Sequence, residues 1–239
     1  MMADASREAV LFVPGLLCDR EVWTSQIEAL SEAFDCRVAE LDLQESIEAM
    51  ASAVLALSDG MFSLVGHSMG GYVALEIMRR APHRVRRLAL LDTQPRADSH
   101  EQAVRRQAFF EEAQRGGFRE VIAGFPPLLF HESRLSDTSL INAFDAMAER
   151  VGKDAFLRQQ RAIMGRLDSV ATLSDISCPT LVLCGRQDLI TPLENSQLMA
   201  AKIPGAAPLI VLEECGHMAP MEQPAAVVAA LRSWMERRH

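Results

Sequence analysis

The sequence predicts an α/β fold in which a mostly parallel sheet of about six strands is covered by helices on both faces. Short apolar runs alternate along the chain with longer stretches whose apolar residues recur three and four positions apart. Strands and helices that alternate in this way form parallel sheets, because right-handed crossovers leave the helices packed on both faces. The length of 239 residues and the hydrophobic content of 49% allow one large core with an insertion.

The predicted elements follow one another in a regular order. In the first half, four apolar runs are predicted strands, at 9–13, 36–42, 61–66 and 87–92. Amphipathic patterns predict helices between them, at 21–34 and 71–81. After a long interval, further strands are predicted at 180–185 and 208–214, and a helix is predicted over 225–238. The sheet is therefore expected to form from both ends of the chain.

The middle of the chain has a different character. Residues 94–172 contain helix-like segments and many large apolar side chains but no convincing strand. The run Phe-Pro-Pro-Leu-Leu-Phe at 125–130 indicates a break between two helices. We therefore expect a core formed by 1–93 and 173–239, with 94–172 as a helical cap, or lid, over the sheet.

Charge and cysteine usage exclude several classes of function. There are 24 lysines and arginines against 32 acidic residues, a net charge of −8, which disfavours nucleic acid because phosphate binding depends on excess positive charge. The polar N-terminus, followed by a short apolar run broken at Pro14 and Gly15, predicts neither an export signal nor a membrane span. The five scattered cysteines lack metal-ligand spacing, so we expect reduced thiols in a cytoplasmic protein without a metal site.

A G-x-S-x-G pattern lies between a predicted strand and a predicted helix, with Gly66, Ser68 and Gly70 at its fixed positions. This context is typical of a tight turn that exposes a serine hydroxyl, and the two glycines avoid side-chain collisions. The start of the helix stabilises negative charge near Ser68. His67 is expected to pack beneath the turn. A glycine-rich turn with an incidental serine has the same local pattern, so the interpretation depends on the partners of the serine.

A nucleophilic serine needs a histidine base and a carboxylate that orients the base. His217 follows the last predicted strand, in a loop bounded by Gly216 and Pro220, and is the candidate base. Asp92 and Asp188 each follow a predicted strand. We favour Asp188 as the acid, because its strand directly precedes that of His217 and the two loops meet at one edge of the sheet. Asp92 is the alternative acid, or else caps the start of the insertion.

Acyl transfer also needs two backbone N–H groups that stabilise the developing oxyanion. One normally belongs to the residue after the nucleophile, which is Met69. The second is expected from Leu16, in the loop after the first strand, where Gly15 allows the backbone to turn inward. A plain β-turn at Pro14 and Gly15 explains that loop equally well.

With these residues in place, the chain resembles the α/β-hydrolase superfamily. The similarity is greatest to the branch of small capped esterases and lactonases, which includes 3-oxoadipate enol-lactonase and pimeloyl-carrier-protein methyl esterase. It covers nearly the whole chain and rests on the segments GHSMGG, LVLCGRQDLITP and GHMAPMEQP. The resemblance implies a nucleophile, an acid, a base and two oxyanion donors at Ser68, Asp188, His217, Leu16 and Met69.

Two departures from the superfamily pattern affect these expectations. Many relatives have histidine where this chain has Pro14, which affects the shape of the first loop. The chain also starts almost directly with the strand that carries this loop, so the two N-terminal strands usual in the superfamily are not expected.

These observations predict hydrolysis of a carboxylic ester or lactone through an acyl-enzyme, with neither a metal nor an organic cofactor. The apolar cap favours an uncharged or weakly polar acyl group. An anionic substrate would need an inward-facing cap arginine, such as Arg105, Arg106 or Arg161.

Other reactions of the superfamily are distinguished by the nucleophile. Serine in the turn at position 68 argues against dehalogenases and epoxide hydrolases, which use aspartate there. Hydrolysis of C–C bonds or thioesters by the same triad stays open, as does a ligand-binding or signalling protein with little turnover. The expected partner is a small-molecule ester or lactone, and the expected assembly is a monomer or homodimer.

Overall fold

The computed structural model describes residues 7–204, 206 and 209–236, and these residues form a six-stranded sheet. The strands are β1 (Ala9–Val13), β2 (Asp35–Val38), β3 (Phe62–His67), β4 (Val85–Leu91), β5 (Thr180–Gly185) and β6 (Ile210–Leu212). Their spatial order is β2-β1-β3-β4-β5-β6, and each neighbouring pair is parallel. The predicted parallel sheet of about six strands is confirmed.

Helices cover both faces of the sheet. In the described part of the chain the α-helices are α1 (Thr24–Leu30), α2 (Ile47–Leu55), α3 (Met69–Arg80), α4 (His100–Gln114), α5 (Phe118–Ala123), α6 (Pro126–Leu129), α7 (Thr138–Met164), α8 (Leu193–Lys202), α9 (Ala219–Glu222) and α10 (Pro224–Glu236). Successive side chains of a strand point to opposite faces. In β1, Val10 and Phe12 therefore join an apolar cluster that includes α1 and α10, whereas Leu11 and Val13 join a second cluster with α2 and α3.

The predicted elements differ from the structure mainly at their ends, and the helices α2 and α8 were not among them. β2 ends at Val38 and does not continue to residue 42. The Ala39 N–H still donates to the carbonyl oxygen of Phe12, but the next bond of the ladder would need an N–H on residue 14, which is proline. β6 covers Ile210–Leu212 of the predicted 208–214, and Pro208 lies outside the described residues. The predicted helix over 21–34 is a 3-10 helix, Arg20–Trp23, followed by α1, which ends at Leu30. Residues 237 and 238 of the predicted last helix also lie outside the described part.

The segment between β4 and β5 contains α4 to α7 and no strand among its residues, all of which the structure describes. α4, α5 and α7 pack on one another, and α7 is divided at Gly152, which has a φ of 80°. Phe130, Phe144 and Phe156 join the same apolar cluster as α1 and α10. We call residues 94–172 the cap, and the division of the chain into a core and a cap stays a prediction. In the described ranges, no helix has both the length and the hydropathy that crossing a bilayer requires.

Candidate active site

Ser68 occupies the turn between β3 and α3 with a φ of 53° and a ψ of −117°. This region is rare for residues other than glycine and indicates a strained backbone. The neighbouring positions require glycine, because a Cβ on Gly66 would lie 2.5 Å from the carbonyl oxygen of Gly70. A Cβ on Gly70 would lie 2.0 Å from the carbonyl oxygen of Val13. The two glycines therefore let α3 approach the sheet closely enough to form the turn.

The structure brings Ser68, His217 and Asp188 into one chain of hydrogen bonds. Ser68 Oγ lies 2.8 Å from His217 Nε2, and His217 Nδ1 lies 2.8 Å from Asp188 Oδ2. The side chains come from three different loops, which follow β3, β6 and β5. All three residues are buried, at 7%, 2% and 3% exposure. With a proton on Nδ1, the imidazole donates to Asp188 and accepts from the Ser68 hydroxyl, which is the arrangement a general base needs.

Asp188 is held by its own loop as well as by His217. Its Oδ1 accepts hydrogen bonds from the N–H groups of Ile190 and Thr191, at 2.8 and 2.9 Å. Its Oδ2 accepts a further bond from the Thr191 hydroxyl at 2.7 Å. Burial acts to raise the pKa of Asp188, but the positive charge of His217 and the bonds from His217 and Thr191 hold that pKa below its usual value. The carboxylate is therefore both charged and fixed in orientation.

Asp92, the alternative acid, lies at the end of β4 and is fully buried, with a φ of 44°. Its Oδ1 accepts a hydrogen bond from the N–H of Gly185 at 2.8 Å, and neither of its oxygens bonds to His217. Burial, and after it the negative charge of Asp188, raise the pKa of Asp92 well above its usual value. Asp92 is thus expected to be neutral beside the charged Asp188.

His67 lies beneath the turn and contacts the backbone of the base loop. Its Nε2 donates a hydrogen bond to the carbonyl oxygen of His217 at 2.8 Å, and its ring packs edge-on to Trp23. Burial, together with the nearby charge of His217, lowers the pKa of His67 to about 3. This histidine is therefore neutral, and it supports the position of His217.

The loop after β1 contains Leu16 and has an unusual shape. Leu17 has a φ of 59°, and its N–H donates to the side-chain oxygen of Gln159 at 3.1 Å. Gln159 is buried on α7 and also donates to the carbonyl oxygen of Leu41 at 3.0 Å. Neither Leu16 N–H nor Met69 N–H donates a hydrogen bond to a described residue, so both groups are free to bind a ligand oxygen.

Sequence reasoning missed two residues that hold these loops, Gln159 and Glu222. The Glu222 carboxylate accepts hydrogen bonds from the N–H groups of Gly216 and His131, at 2.9 and 2.8 Å, and burial raises its pKa. The N–H of His217 donates to the carbonyl oxygen of Leu129 at 2.7 Å. The base loop is therefore tied to the end of α6. The only sequence signal for Gln159 is weak, because it and the adjacent Gln160 are polar residues on a helix face that is otherwise apolar there.

A narrow cavity of about 50 Å³ lies above Ser68. One bound water needs about 10–15 Å³ of such a cavity, so the cavity suits a short substrate group. Most of its wall is apolar, with Leu16, Leu17, Tyr72, Phe109, Phe125, Leu129, Phe144, Ile163, Ile190 and Met218.

Of the cap arginines that sequence reasoning singled out, Arg105 and Arg106 line the cavity above Ser68. Arg161 does not line it, because its guanidinium lies 5.2 Å from the centre of the Phe110 ring and 3.6 Å from a Glu45 oxygen. Two of the three arginines therefore lie in the wall of the cavity, where a substrate would bind.

One group of described side chains has the spacing for a metal ion. The ligand atoms of Asp92, Cys184 and Asp188 lie within 4.8 Å of one another. However, both oxygens of Asp188 already accept hydrogen bonds from its own loop and from His217. We therefore assign no metal to this group, and the expectation of no cofactor stays a prediction.

The family of the chain follows from comparison with known proteins. The model of the alpha/beta hydrolase family matches residues 10–231, which is almost the entire chain. This chain belongs to the alpha/beta hydrolase family. The resemblance expected from the sequence segments is thus confirmed, as is the fold class.

Among curated proteins, this α/β hydrolase is similar to the putative carbamate hydrolase RutD of Agrobacterium fabrum. The two are 29% identical over 238 residues, covering 92% of this chain and 90% of the relative. It is also similar to the pimeloyl-[acyl-carrier protein] methyl ester esterase of Nitrosomonas europaea, at 28% identity over 216 residues, 82% of this chain and 83% of the relative.

Among solved structures, a thermophilic esterase from Thermogutta terrifontis superposes with a TM-score of 0.88 at 32% identity, covering 96% of this chain and 90% of that one. The enol-lactonase from Burkholderia xenovorans LB400 superposes with a TM-score of 0.89, covering 98% and 94% of the two chains. Its identity is 21%, so this likeness shows the fold alone. The relatives share hydrolysis as a class but differ in the substrate for which they are named.

Proposed function

We propose that this α/β hydrolase is a serine hydrolase that cleaves a carboxylic ester or lactone through an acyl-enzyme intermediate. The observation that carries the proposal is the unbroken hydrogen-bond chain from Ser68 through His217 to Asp188, at the floor of an apolar cavity. A serine hydroxyl is a weak nucleophile, and this arrangement of base and acid is what activates it.

In the first half of the reaction, Ser68 Oγ attacks the substrate carbonyl carbon while His217 Nε2 takes the hydroxyl proton. Asp188 stabilises the resulting imidazolium and keeps its ring in orientation. The carbonyl oxygen gains negative charge, and the free N–H groups of Leu16 and Met69 are the donors we propose for it. His217 then gives its proton to the leaving oxygen, and the C–O bond of the ester breaks.

In the second half, water attacks the acyl-enzyme on the same carbon. His217 takes a proton from the water, the oxyanion forms again in the same place, and the bond to Ser68 Oγ breaks. The proton on His217 returns to Ser68 Oγ, and the acid product leaves. The cycle consumes one water per ester and needs no group beyond those of the chain.

Carbamate hydrolysis is a second candidate, because a relative at 29% identity over nearly the full length is named a putative carbamate hydrolase. The same attack on a carbonyl carbon would apply there. C–C bond and thioester hydrolysis use the same residues as well, and a ligand-binding protein on this fold would show a single acylation without turnover. A cytoplasmic location, a small-molecule partner and a monomer or homodimer stay predictions.

The proposal is tested with a fluorophosphonate probe and intact-protein mass spectrometry. Wild type and the control Ser174→Ala, at an exposed serine, should each gain one probe mass, whereas Ser68→Ala should gain none. Turnover is then measured on p-nitrophenyl esters, lactones and aryl carbamates. Equal labelling of Ser68→Ala would refute the nucleophile assignment. Labelling without turnover on any panel member would leave two explanations, a binding protein or a competent nucleophile whose cap does not match the panel substrates.

A further inference from the structure

We infer that the substrate carries a carboxylate, held in the cavity by Arg105 and Gln160 of the cap, so that the substrate class is a monoester of a short dicarboxylic acid. This inference rests on the proposed function only in placing the scissile ester at Ser68. It replaces the expectation, drawn from the apolar composition of the cap, of an uncharged acyl group.

The first observation is that Arg105 lines the cavity without a described hydrogen-bond or ion-pair partner. Its side chain comes from α4, lines the same cavity as Ser68 and His217, and is only partly exposed. It makes no hydrogen bond or ion pair with any residue in the described ranges. A guanidinium is always charged, and partial burial without a counter-charge is unfavourable. A ligand anion in the cavity would supply the missing partner.

The second observation is the balance of charge around the cavity. Its described lining contains Arg105 and Arg106 but no aspartate or glutamate. Arg106 pairs with Asp98 at 2.8 Å, and the same carboxylate pairs with Arg166, also at 2.8 Å. Asp98 therefore serves two guanidinium groups, of which only that of Arg106 lines the cavity, and Arg105 adds a second positive charge to the cavity wall. This excess of positive charge is local, since the chain as a whole carries a net charge of −8.

The third observation is an unused donor on Gln160, which is fully buried and lines the cavity. Its side-chain oxygen accepts from Arg106 at 3.3 Å, whereas its Nε2 has no hydrogen-bond partner among the described residues. Exchanging the amide oxygen and nitrogen would place two N–H donors against each other, so the assignment is chemically fixed. A buried amide N–H without a partner is costly, and a bound acceptor would satisfy it.

These groups fit a carboxylate better than a neutral acceptor. A guanidinium presents parallel N–H groups that match the two oxygens of a carboxylate, and charge-assisted bonds of this kind are the strong ones. Most of the remaining cavity wall is apolar and includes Phe109 and Phe125, whose ring centres lie 5.3 Å apart. A short methylene chain would pass along this wall, with the ester at Ser68 and the carboxylate at Arg105.

The test compares pairs of substrates that differ in one charge. The substrates are the monomethyl esters of succinate, glutarate and adipate, and the neutral partner of each is the corresponding dimethyl ester. Wild type should favour one monoester over its dimethyl ester by at least tenfold in kcat/KM. Arg105→Gln should lower kcat/KM for that monoester by roughly 10- to 100-fold and change the dimethyl ester by less than threefold. The control Arg161→Gln, at a cap arginine outside the cavity, should change neither.

A binding measurement separates this inference from the proposed chemistry. Calorimetric titration of Ser68→Ala with the preferred monoester should show binding, and adding Arg105→Gln should weaken that binding by the same roughly 10- to 100-fold. Turnover of neutral esters with no preference for any monoester would overturn the inference and leave the proposed function intact. Binding of the monoester that depends on Arg105, without turnover, would support the inference and refute the proposed function. Equal losses on both members of a substrate pair in Arg105→Gln would also overturn the inference.

Discussion

Replacing Asp188 by asparagine should nearly abolish catalysis through the tautomer of His217. Oδ1 of Asp188 accepts two backbone N–H groups, from Ile190 and Thr191, so the oxygen of the new amide must stay at that position. The amide nitrogen then replaces Oδ2 and donates to His217 Nδ1. This forces the ring proton onto Nε2, which faces Ser68 Oγ at 2.8 Å and can no longer accept its proton.

The loss should be about 10⁴-fold in kcat, which corresponds to about 5.5 kcal/mol of transition-state stabilisation. Asp92→Asn is the matched control, because Asp92 is expected to be neutral and its Oδ1 bond to Gly185 survives in the amide. We expect less than a fivefold change there. Both variants are assayed for kcat on a p-nitrophenyl ester at pH 8, with the rate of fluorophosphonate labelling and circular dichroism measured in parallel. Equal losses in the two variants, or a larger loss in Asp92→Asn, would refute the reasoning.

Three further predictions concern the nucleophile, the loop after β1 and the buried histidine. Ser68→Ala should lower kcat by at least about 10³-fold with an unchanged melting temperature, and steady-state kinetics that retain activity would contradict it. Gln159→Leu leaves two buried backbone groups without partners, at roughly 1–3 kcal/mol each. Urea unfolding should show that loss of stability, and kcat should fall at least tenfold as Leu16 N–H loses its position; an unchanged kcat would show that Gln159 does not hold the loop. The pKa of His67 is lowered to about 3, so only the unfolded chain takes up this proton between pH 6.5 and pH 3. Neutral His67 therefore contributes fully to the free energy of unfolding above pH 6.5. This contribution decreases by up to about 1.4 kcal/mol for each unit that the pH falls below 6.5. The free energy of unfolding, measured in urea at pH 7, 6 and 5, should decline less steeply in His67→Gln than in wild type. Parallel declines in the two proteins would contradict this.

The fold was predictable from the sequence because each strand is a short apolar run and the crossover helices α1 and α3 have a clear apolar periodicity. β3 and β5 illustrate this, since every residue in both strands is buried. The C-terminal end of β2 was not predictable, because it depends on where the neighbouring strand β1 reaches Pro14.

The parts of the candidate site that lie in short sequence motifs were predictable. Ser68 and His217 each lie in a short motif that follows a strand, and the structure joins them by a hydrogen bond. The choice between Asp92 and Asp188 depends on which side chain reaches His217. The distance from each carboxylate to the His217 ring cannot be read from the local sequence. Gln159 was missed for the same reason, since it contacts a loop 142 residues away along the chain.

Residues of the cap anchor two loops of the candidate site, and these anchors limit the exchange of the cap for that of another protein. Gln159 fixes the loop that carries Leu16, and the backbone at Leu129 and His131 fixes the loop that carries His217. A chimera that exchanged residues 94–172 for the insertion of another member of the family would keep the serine, the histidine and the aspartate. It would lose the groups that hold the loop of Leu16 and the loop of His217 in place. Changing specificity by cap exchange therefore requires transplanting these anchors together with the new cap.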